Sequence, residues 1–373
     1  MTAPRAVTST ADEPLASGAL TKSGPVHSWD EFTRLREVVI GNARRARIPS
    51  VDDRSAWLNL FPELDHASLA DLPKLGLDRR VLAETEEDLT RLSDALEEAG
   101  VTVRRTQPLD FGAEFGAPGW RSQGMYAYCP RDLALVLGET LVEAPTPTRA
   151  RYFEVFCLRP LFQEYMRQGA RWISAPKPQL EDTLYDVDSS GHVRLTDAEP
   201  VFEAANVLRL GRDLLYQVSG SGNELGMRWL HSILPMMGDV RLHPLRSVYD
   251  YTHIDSTIAP LRPGLVLLNP ARISPAAVPE FFRGWDVLWC PPPPYGDAVR
   301  AALSSPWISM NLLMVDVDLA VVDAANMPLL RLLEWAGVNV IPLHLRHARA
   351  LGGGFHCVSL DVRRDGKLED YSV

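Results

Sequence analysis

Three observations predict an α/β fold. Apolar runs of four to six residues recur along the chain, helix-spaced segments fall between them, and no change of composition marks a linker within residues 26–373. In chain order, residues 36–41 (REVVIG) form a strand closed by glycine. Residues 85–100 place Leu89, Leu92, Ala95 and Leu96 at helical spacing ahead of Gly100, and residues 101–104 follow as a strand. Residues 133–137 and 214–218 are buried strands. Residues 223–233 are a helix before a strand around Val240, and residues 265–268, 312–315, 320–322 and 338–341 are further strands. A helix over 329–336 separates the last two. The proline run 291–294 reads as a surface loop, and residues 1–25, without an apolar or arginine-rich leader pattern, as a flexible tail.

The chain has 373 residues, enough for two or three domains or one large one, and its 46% hydrophobic and 23% charged composition is that of a globular protein. The longest stretch free of charged residues and histidine, 301–315, falls short of the roughly 20 residues a membrane helix needs. No membrane partner is expected. Thirty-eight basic against 48 acidic residues give a net charge of −10, which disfavours a nucleic-acid partner and suits a cationic or neutral small substrate. Four scattered cysteines, Cys129, Cys157, Cys290 and Cys357, make neither a disulfide framework nor a Cys-x-x-Cys zinc pair. A reducing, cytoplasmic setting is the expectation.

The sharpest local feature is LGGGFHCVSLD over 351–361. Three glycines allow close backbone approach, and Cys357 then opens a strand with Val358, Leu360 and Val362 alternating. A thiol there is a candidate nucleophile if a base serves it, or else a buried structural cysteine beside a turn. His356 should point away from the sulfur, because neighbours in an extended segment face opposite sides. In YTHIDST, read as a strand, His253, Asp255 and Thr257 share one face. They offer a general acid/base and an anion for a cationic substrate, or only a surface hydrogen-bonded pair. Glu203, among small and apolar residues in PVFEAAN, is either half-buried and partnered or a helix start. Asp132 in CPRDLALVLG defaults to a turn or cap. The glycines Gly220, Gly222 and Gly226 miss the dinucleotide spacing by one position, no metal-ligand motif occurs, and Arg44, Arg45 and Arg47 read as a solvated loop. No cofactor or metal is expected.

From His27 to Tyr371 the chain resembles the arginine amidinotransferases. REVVIGNA, YCPRDLALVLG, RYFE, SAPKP, VFEAANVLRLGRD, THIDST, PGLVLLNPAR, SSPWISMNLLM and LGGGFHC carry the resemblance. VLRLGRDLLYQVS, GSGNELG and LEEAGVTVRR lean towards the inosamine-phosphate branch rather than the glycine branch. The resemblance implies one α/β-propeller domain over 26–373, with five ββαβ modules about a pseudo-fivefold axis and the active site in a central channel. It implies Cys357 as nucleophile, His253 as general acid/base and Glu203 as its carboxylate partner. Asp132 and Asp255 would grip the guanidinium, and Arg272, Ser304 and Ser305 would hold the amino-acid end of donor or acceptor. Glu203 departs from the aspartate usual in the family and reaches one methylene further. Ser304 and Ser305 match the glycine branch. The implied reaction carries the amidino group of L-arginine to a primary amine through an amidino-cysteine, releasing L-ornithine. The acceptor would be an inosamine phosphate, or in the alternative glycine or another small amine; a deiminase-type hydrolase would share the same groups. Dimers occur in the family, so a homodimer is compatible with the resemblance.

Overall fold

The computed structural model describes residues 24–49, 53–59, 77–189, 191–294 and 302–372; the expected tail, apart from Gly24 and Pro25, lies outside them. The α/β expectation holds. Five three-stranded sheets share one topology, in which an antiparallel hairpin leads through a crossover to a third strand parallel to the second. The second module runs Ala134–Leu137, Thr140–Glu143, helix Arg159–Arg167, Arg171–Ser174, with Ala134 opposite Glu143 and Thr140 beside Arg171. The third runs Val207–Leu210, Asp213–Gln217, helix Glu224–Ile233, Arg241–Leu245. The fourth has Ile258–Arg262, Leu265–Leu268 and Asp286–Trp289, with short 3-10 turns in its crossover. The fifth has Leu313–Asp316, Leu319–Asp323, helix Met327–Trp335 and Asn339–Leu343. The first unites both chain ends: the C-terminal strand Ser359–Arg364 pairs with Leu35–Ile40, which leads through helix Arg79–Glu98 to Thr102–Arg105.

Strand sequences explain why the modules stand side by side. In Ala134–Leu137, Val136 enters a core shared with Val39, Leu360 and Val362 of the first module, while Leu135 and Leu137 enter one shared with Val207, Leu214 and Tyr216 of the third. Alternate side chains thus feed opposite cores, which is why the run is apolar throughout instead of alternating with polar residues. Further shared cores join the third, fourth and fifth modules, and the fifth and first. Each fully buried leucine in them contributes about 2 kcal/mol.

Most predicted elements fall within one or two residues of the observed ones, and strand 265–268 coincides. The first helix starts six residues earlier than predicted, at Arg79, capped by Asp78 whose side chain accepts from Arg80 N. Ile258–Arg262 and helix Arg159–Arg167 are not predicted. Pro260 disguises the first, and Pro160 sits harmlessly in the opening turn of the second. Two expectations of local geometry fail. THIDST is not a strand but a 3-10 turn, Ile254–Ser256, with His253 at its N-cap. Residues 355–358 are likewise a turn, with the strand beginning at Ser359. No helix among the described residues is long and apolar enough to cross a membrane.

Candidate active site

A turn enters the first strand of every module, and these five turns meet. Pro130–Asp132 packs on Ala204–Asn206, that on Ile254–Ser256, and that on Pro306–Met310. The turn at 355–358 joins through Asn311, whose Oδ1 accepts from His356 N at 2.9 Å and Cys357 N at 3.1 Å. The candidate residues lie on or beside these turns: Asp132, Glu203, His253 with Asp255, Ser304 with Ser305, and Cys357. One local device thereby assembles residues far apart in sequence.

The glycines before Cys357 have separate uses. Gly352 takes φ +82 to end a short helix, where a side chain is strained. A Cβ on Gly353 would lie 2.5 Å from Cys129 Sγ and 3.1 Å from Cys357 Cβ, and one on Gly354 would lie 2.7 Å from Asn311 Oδ1. Only glycine lets this loop press against the site.

A narrow pocket of about 60 Å³ is lined by Asp132, Arg151, His253, Asp255, Ser304, Ser305 and Cys357 among others. Cys357 Sγ donates to Asp255 Oδ2 at 3.1 Å and accepts from Asn311 Nδ2 at 3.3 Å. Cys129 beside it, burial and the Asp255 carboxylate raise the Cys357 thiol pKa well above its ordinary value, against the lowering effect of His253. Cys129 is thus a neighbour of the candidate nucleophile. His253 Nε2 lies 2.5 Å from Glu203 Oε2, and its Nδ1 lies 3.6 Å from Asp132 Oδ1. Burial opposes charge on His253, but Asp132, Cys357 and Glu203 outweigh it and raise the imidazole pKa well above the ordinary range.

Glu203 is fully buried, and the longer side chain meets the imidazole without losing its other partners: Oε1 accepts from Thr146 Oγ1 at 2.8 Å and Arg151 Nη1 at 2.9 Å. Burial pushes its pKa up, yet Arg151, His253 and Thr146 bring it down to about 2. Arg151 Nη1 also donates to Asp132 Oδ2 at 2.9 Å, and its Nε to Glu154 Oε2 at 2.8 Å. Asp132, Glu203 and His253 have ligand-type atoms within 4.8 Å of one another, a spacing a metal could use. The Arg151 guanidinium, bonded to both carboxylates, already supplies a positive charge there. Burial raises the Asp132 pKa in spite of His253 and Arg151, and its Oδ1 has no hydrogen-bond donor among the described residues. For Asp255, burial is overcome by hydrogen bonding and charge from His356, and its pKa is lowered.

His356 does not look away. Its Nδ1 lies 3.1 Å from the same Asp255 oxygen that Cys357 approaches, because a turn does not alternate its side chains as a strand does. Arg272 stands outside the pocket lining, its Nη1 on Ser256 O at 3.0 Å and Thr257 Oγ1 at 2.8 Å, with its guanidinium 3.5 Å from the Tyr249 ring centroid. It braces the turn that carries Asp255. Sequence reasoning missed Asn311 and the Arg151–Glu154 pair. RYFE offered a signal for the latter, an arginine three residues before a glutamate in an otherwise aromatic segment.

These features define first a class. The class is one of fold: a solved dimethylarginine dimethylaminohydrolase superposes with a TM-score of 0.57 at 16% identity, over 87% of this chain and 99% of that one, a likeness of fold alone. Within that class the chain belongs to the amidinotransferase family and is an amidinotransferase. It is 48% identical over 343 residues to inosamine-phosphate amidinotransferase 1 of Streptomyces glaucescens, covering 92% of this chain and 97% of that protein. It is 37% identical over 360 residues to the L-arginine:L-lysine amidinotransferase of Pseudomonas savastanoi pv. phaseolicola, covering 94% and 98%. The solved inosamine-phosphate amidinotransferase of Streptomyces griseus superposes with a TM-score of 0.84 at 46% identity, over 94% of this chain and all of that one. No family model matches the chain.

Proposed function

We propose that the protein transfers the amidino group of L-arginine to the amine of an inosamine phosphate through an amidino-cysteine at Cys357, releasing L-ornithine. The observation that carries this reading is the thiol, the charged imidazole and the two pocket carboxylates converging on one narrow cavity. The identity to inosamine-phosphate amidinotransferases supports the acceptor class. We further infer that residues 26–373 form one domain and that the five modules close as a five-bladed propeller about the pocket, a reading supported by their common topology and shared cores.

The chemistry follows from charge. A guanidinium is a poor electrophile until it is held in plane, and Asp132 and Asp255 can take its forked N–H groups while presenting its carbon to sulfur. Its arrival also activates the thiol. A unit charge about 4 Å away contributes about 4 kcal/mol at an effective dielectric of 20, about three pKa units, which favours loss of the thiol proton to solvent, since His253 already holds its own, and solvent returns that proton when the product leaves. The Cys357 thiolate attacks the guanidinium carbon. The bond from that carbon to the ornithine nitrogen breaks, and His253, kept protonated by Glu203 and Asp132, gives the departing amine its proton. After ornithine leaves, His253 takes a proton from the acceptor amine, whose nitrogen attacks the amidino carbon and expels the Cys357 thiolate. Ser304 and Ser305 stand in the lining where they can hold the amino-acid end of the donor, and Arg272 acts through its turn.

The test is incubation with arginine alone. A single burst of ornithine matching the enzyme present is expected, with one amidino group on the peptide containing Cys357. Continuous turnover should begin only when an amine is added. Steady citrulline formation without acceptor would replace transfer by hydrolysis. Cys357→Ala should reduce ornithine release about 10⁴-fold or more.

A further inference from the structure

Beside the catalytic pocket lies a wider cleft of about 440 Å³, lined by Arg47, Arg54, Arg121 and Arg149 with Asp53, Glu114 and Asp182. The two cavities share Pro49 and three chain segments. Arg54 lines the cleft and Ala56 the pocket; Gly124 the cleft and Met125 the pocket; Arg149 the cleft and Arg151 the pocket. A two-residue step along the chain spans at most about 7 Å, so the walls of the two cavities adjoin along these segments. We propose that this cleft binds the phosphate of the acceptor, with Arg47, Arg54 and Arg121 as its ligands, and so places the acceptor amine towards Cys357. The inference rests on the amidino-transfer reading and adds to it the location of the anion site.

Charge argues for an anion here. Among the described lining residues, four arginines stand against three carboxylates, an excess of one positive charge in a chain whose net charge is −10. Arg149 is taken up by the frame, paired with Asp53 at 3.3 Å and Asp182 at 2.9 Å. Among the described residues Arg47 and Arg121 make no ion pair, while the charge of Arg54 also acts on Asp182. Arg47 Nη2 donates to the neutral Gln123 Oε1 at 3.0 Å, and Arg121 Nη1 to the carbonyls of Ala117 at 2.6 Å and Trp120 at 2.9 Å. Their forked donors suit a phosphate monoester, whose several oxygens each accept. Arg44 and Arg45, adjacent in sequence, do not line the cleft.

Acceptor kinetics decide this. The wild-type enzyme should use an aminocyclitol phosphate better than the same aminocyclitol without phosphate. Arg47→Gln and Arg121→Gln should each lower kcat/KM for the phosphorylated acceptor about 10- to 100-fold, mostly through KM, since hydrogen bonds to charged groups carry about 1.5–3 kcal/mol. Turnover with hydroxylamine, which has no phosphate, should change less than twofold. Equal losses with all acceptors, or none with any, would overturn the assignment. Calorimetry with inorganic phosphate supplies a readout free of turnover. Binding that the double variant abolishes supports the site even if no acceptor releases ornithine, an outcome that would sink the transfer reading instead. Binding that the double variant leaves unchanged removes the site.

Discussion

Two buried charge networks meet at His356, whose Nδ1 faces Asp255 and whose Nε2 lies 3.3 Å from Glu31 Oε2. On one side, Glu31 and Asp361 are held by three arginines: Arg209 reaches Glu31 at 2.8 Å and Asp361 at 2.6 Å, and Arg131 and Arg364 each reach Asp361 at 2.6 Å. Three positive charges against two negative leave this group at +1. On the other side, four carboxylates, Asp132, Glu154, Glu203 and Asp255, share Arg151 and a protonated His253, and the shortage of cations shows in the raised pKa of Asp132 and in that of Glu154, pushed up to about 7 by burial. The carboxylates are buried alike on both sides, with Asp361 at 0% and Asp132 at 2% exposure, while the His253 side chain keeps 13%. The difference is therefore one of stoichiometry, not environment. The closed network spends its ions on one another and fixes the frame, whereas the open one keeps an excess of anions at a pocket wall, which only an incoming cation balances.

Removing one carboxylate from each network tests this contrast. Asp361→Asn should strand Arg364, leave Arg131 and Arg209 with Glu31 as their one carboxylate, and cost about 3–5 kcal/mol in urea unfolding. A loss below about 0.5 kcal/mol would mean that the closed network does not hold the frame. Asp132→Asn should leave unfolding free energy within about 1 kcal/mol of wild type, because it removes an anion whose ionisation burial already opposes. It should instead lower kcat/KM for arginine by the equivalent of about 2–5 kcal/mol. Equal instability in the two variants would erase the distinction.

The networks should also part company in alkali. His253 has a raised pKa, so the stability it contributes is complete below its ordinary value of 6.5 and is lost as pH climbs through the raised one. Guanidinium groups do not titrate there. A decline in unfolding free energy at high pH should appear in the wild type and in Asp361→Asn, and be flattened in His253→Gln. In acid the direction reverses: the stabilisation from Glu203 is present above 4.5 and lost as pH falls towards about 2. Glu203→Gln should flatten that limb, and an unchanged acid limb would show that its pairs add nothing.

How much of this was legible in the sequence depends on what each residue needed from its neighbours. Strands such as 265–268 need only an apolar run between turns. Gly353 and Gly354 announced a close approach in LGGGFHC, and the structure supplies it as Cys129 Sγ and Asn311 Oδ1. Local reasoning set His253 and Asp255 towards one cleft, and both line the pocket, but it assigned strand alternation to residues lying on turns and so turned His356 the wrong way. It could not rank Glu203 or Asp132, whose partners stand in other modules. The resemblance brought those residues together, but Arg151, which ties Asp132 to Glu203, stayed hidden, since an arginine beside aromatic residues in RYFE looks like any surface cation. The fivefold recurrence of topology came from the resemblance alone, not from any repeat in the residues. Shared cores constrain only apolar character, so the modules keep a common hydrophobic rhythm without a common sequence.

The smallest effect concerns the single anion that faces the sulfur. With Cys129, burial and Asp255 all raising the Cys357 pKa, alkylation of the free enzyme by iodoacetamide should reach half its limiting rate above pH 9, the ordinary value for a thiol. Asp255→Asn removes a like charge 3.1 Å from the sulfur, so the midpoint should fall, by about one unit. Asp361→Asn, if it folds, should leave the midpoint in place, because its network reaches the thiol only through His356. A wild-type midpoint well below 9 would mean that the thiolate exists before substrate arrives. The excess of anions would then serve to hold the donor alone, and the coupling of donor binding to thiol activation would have to be given up.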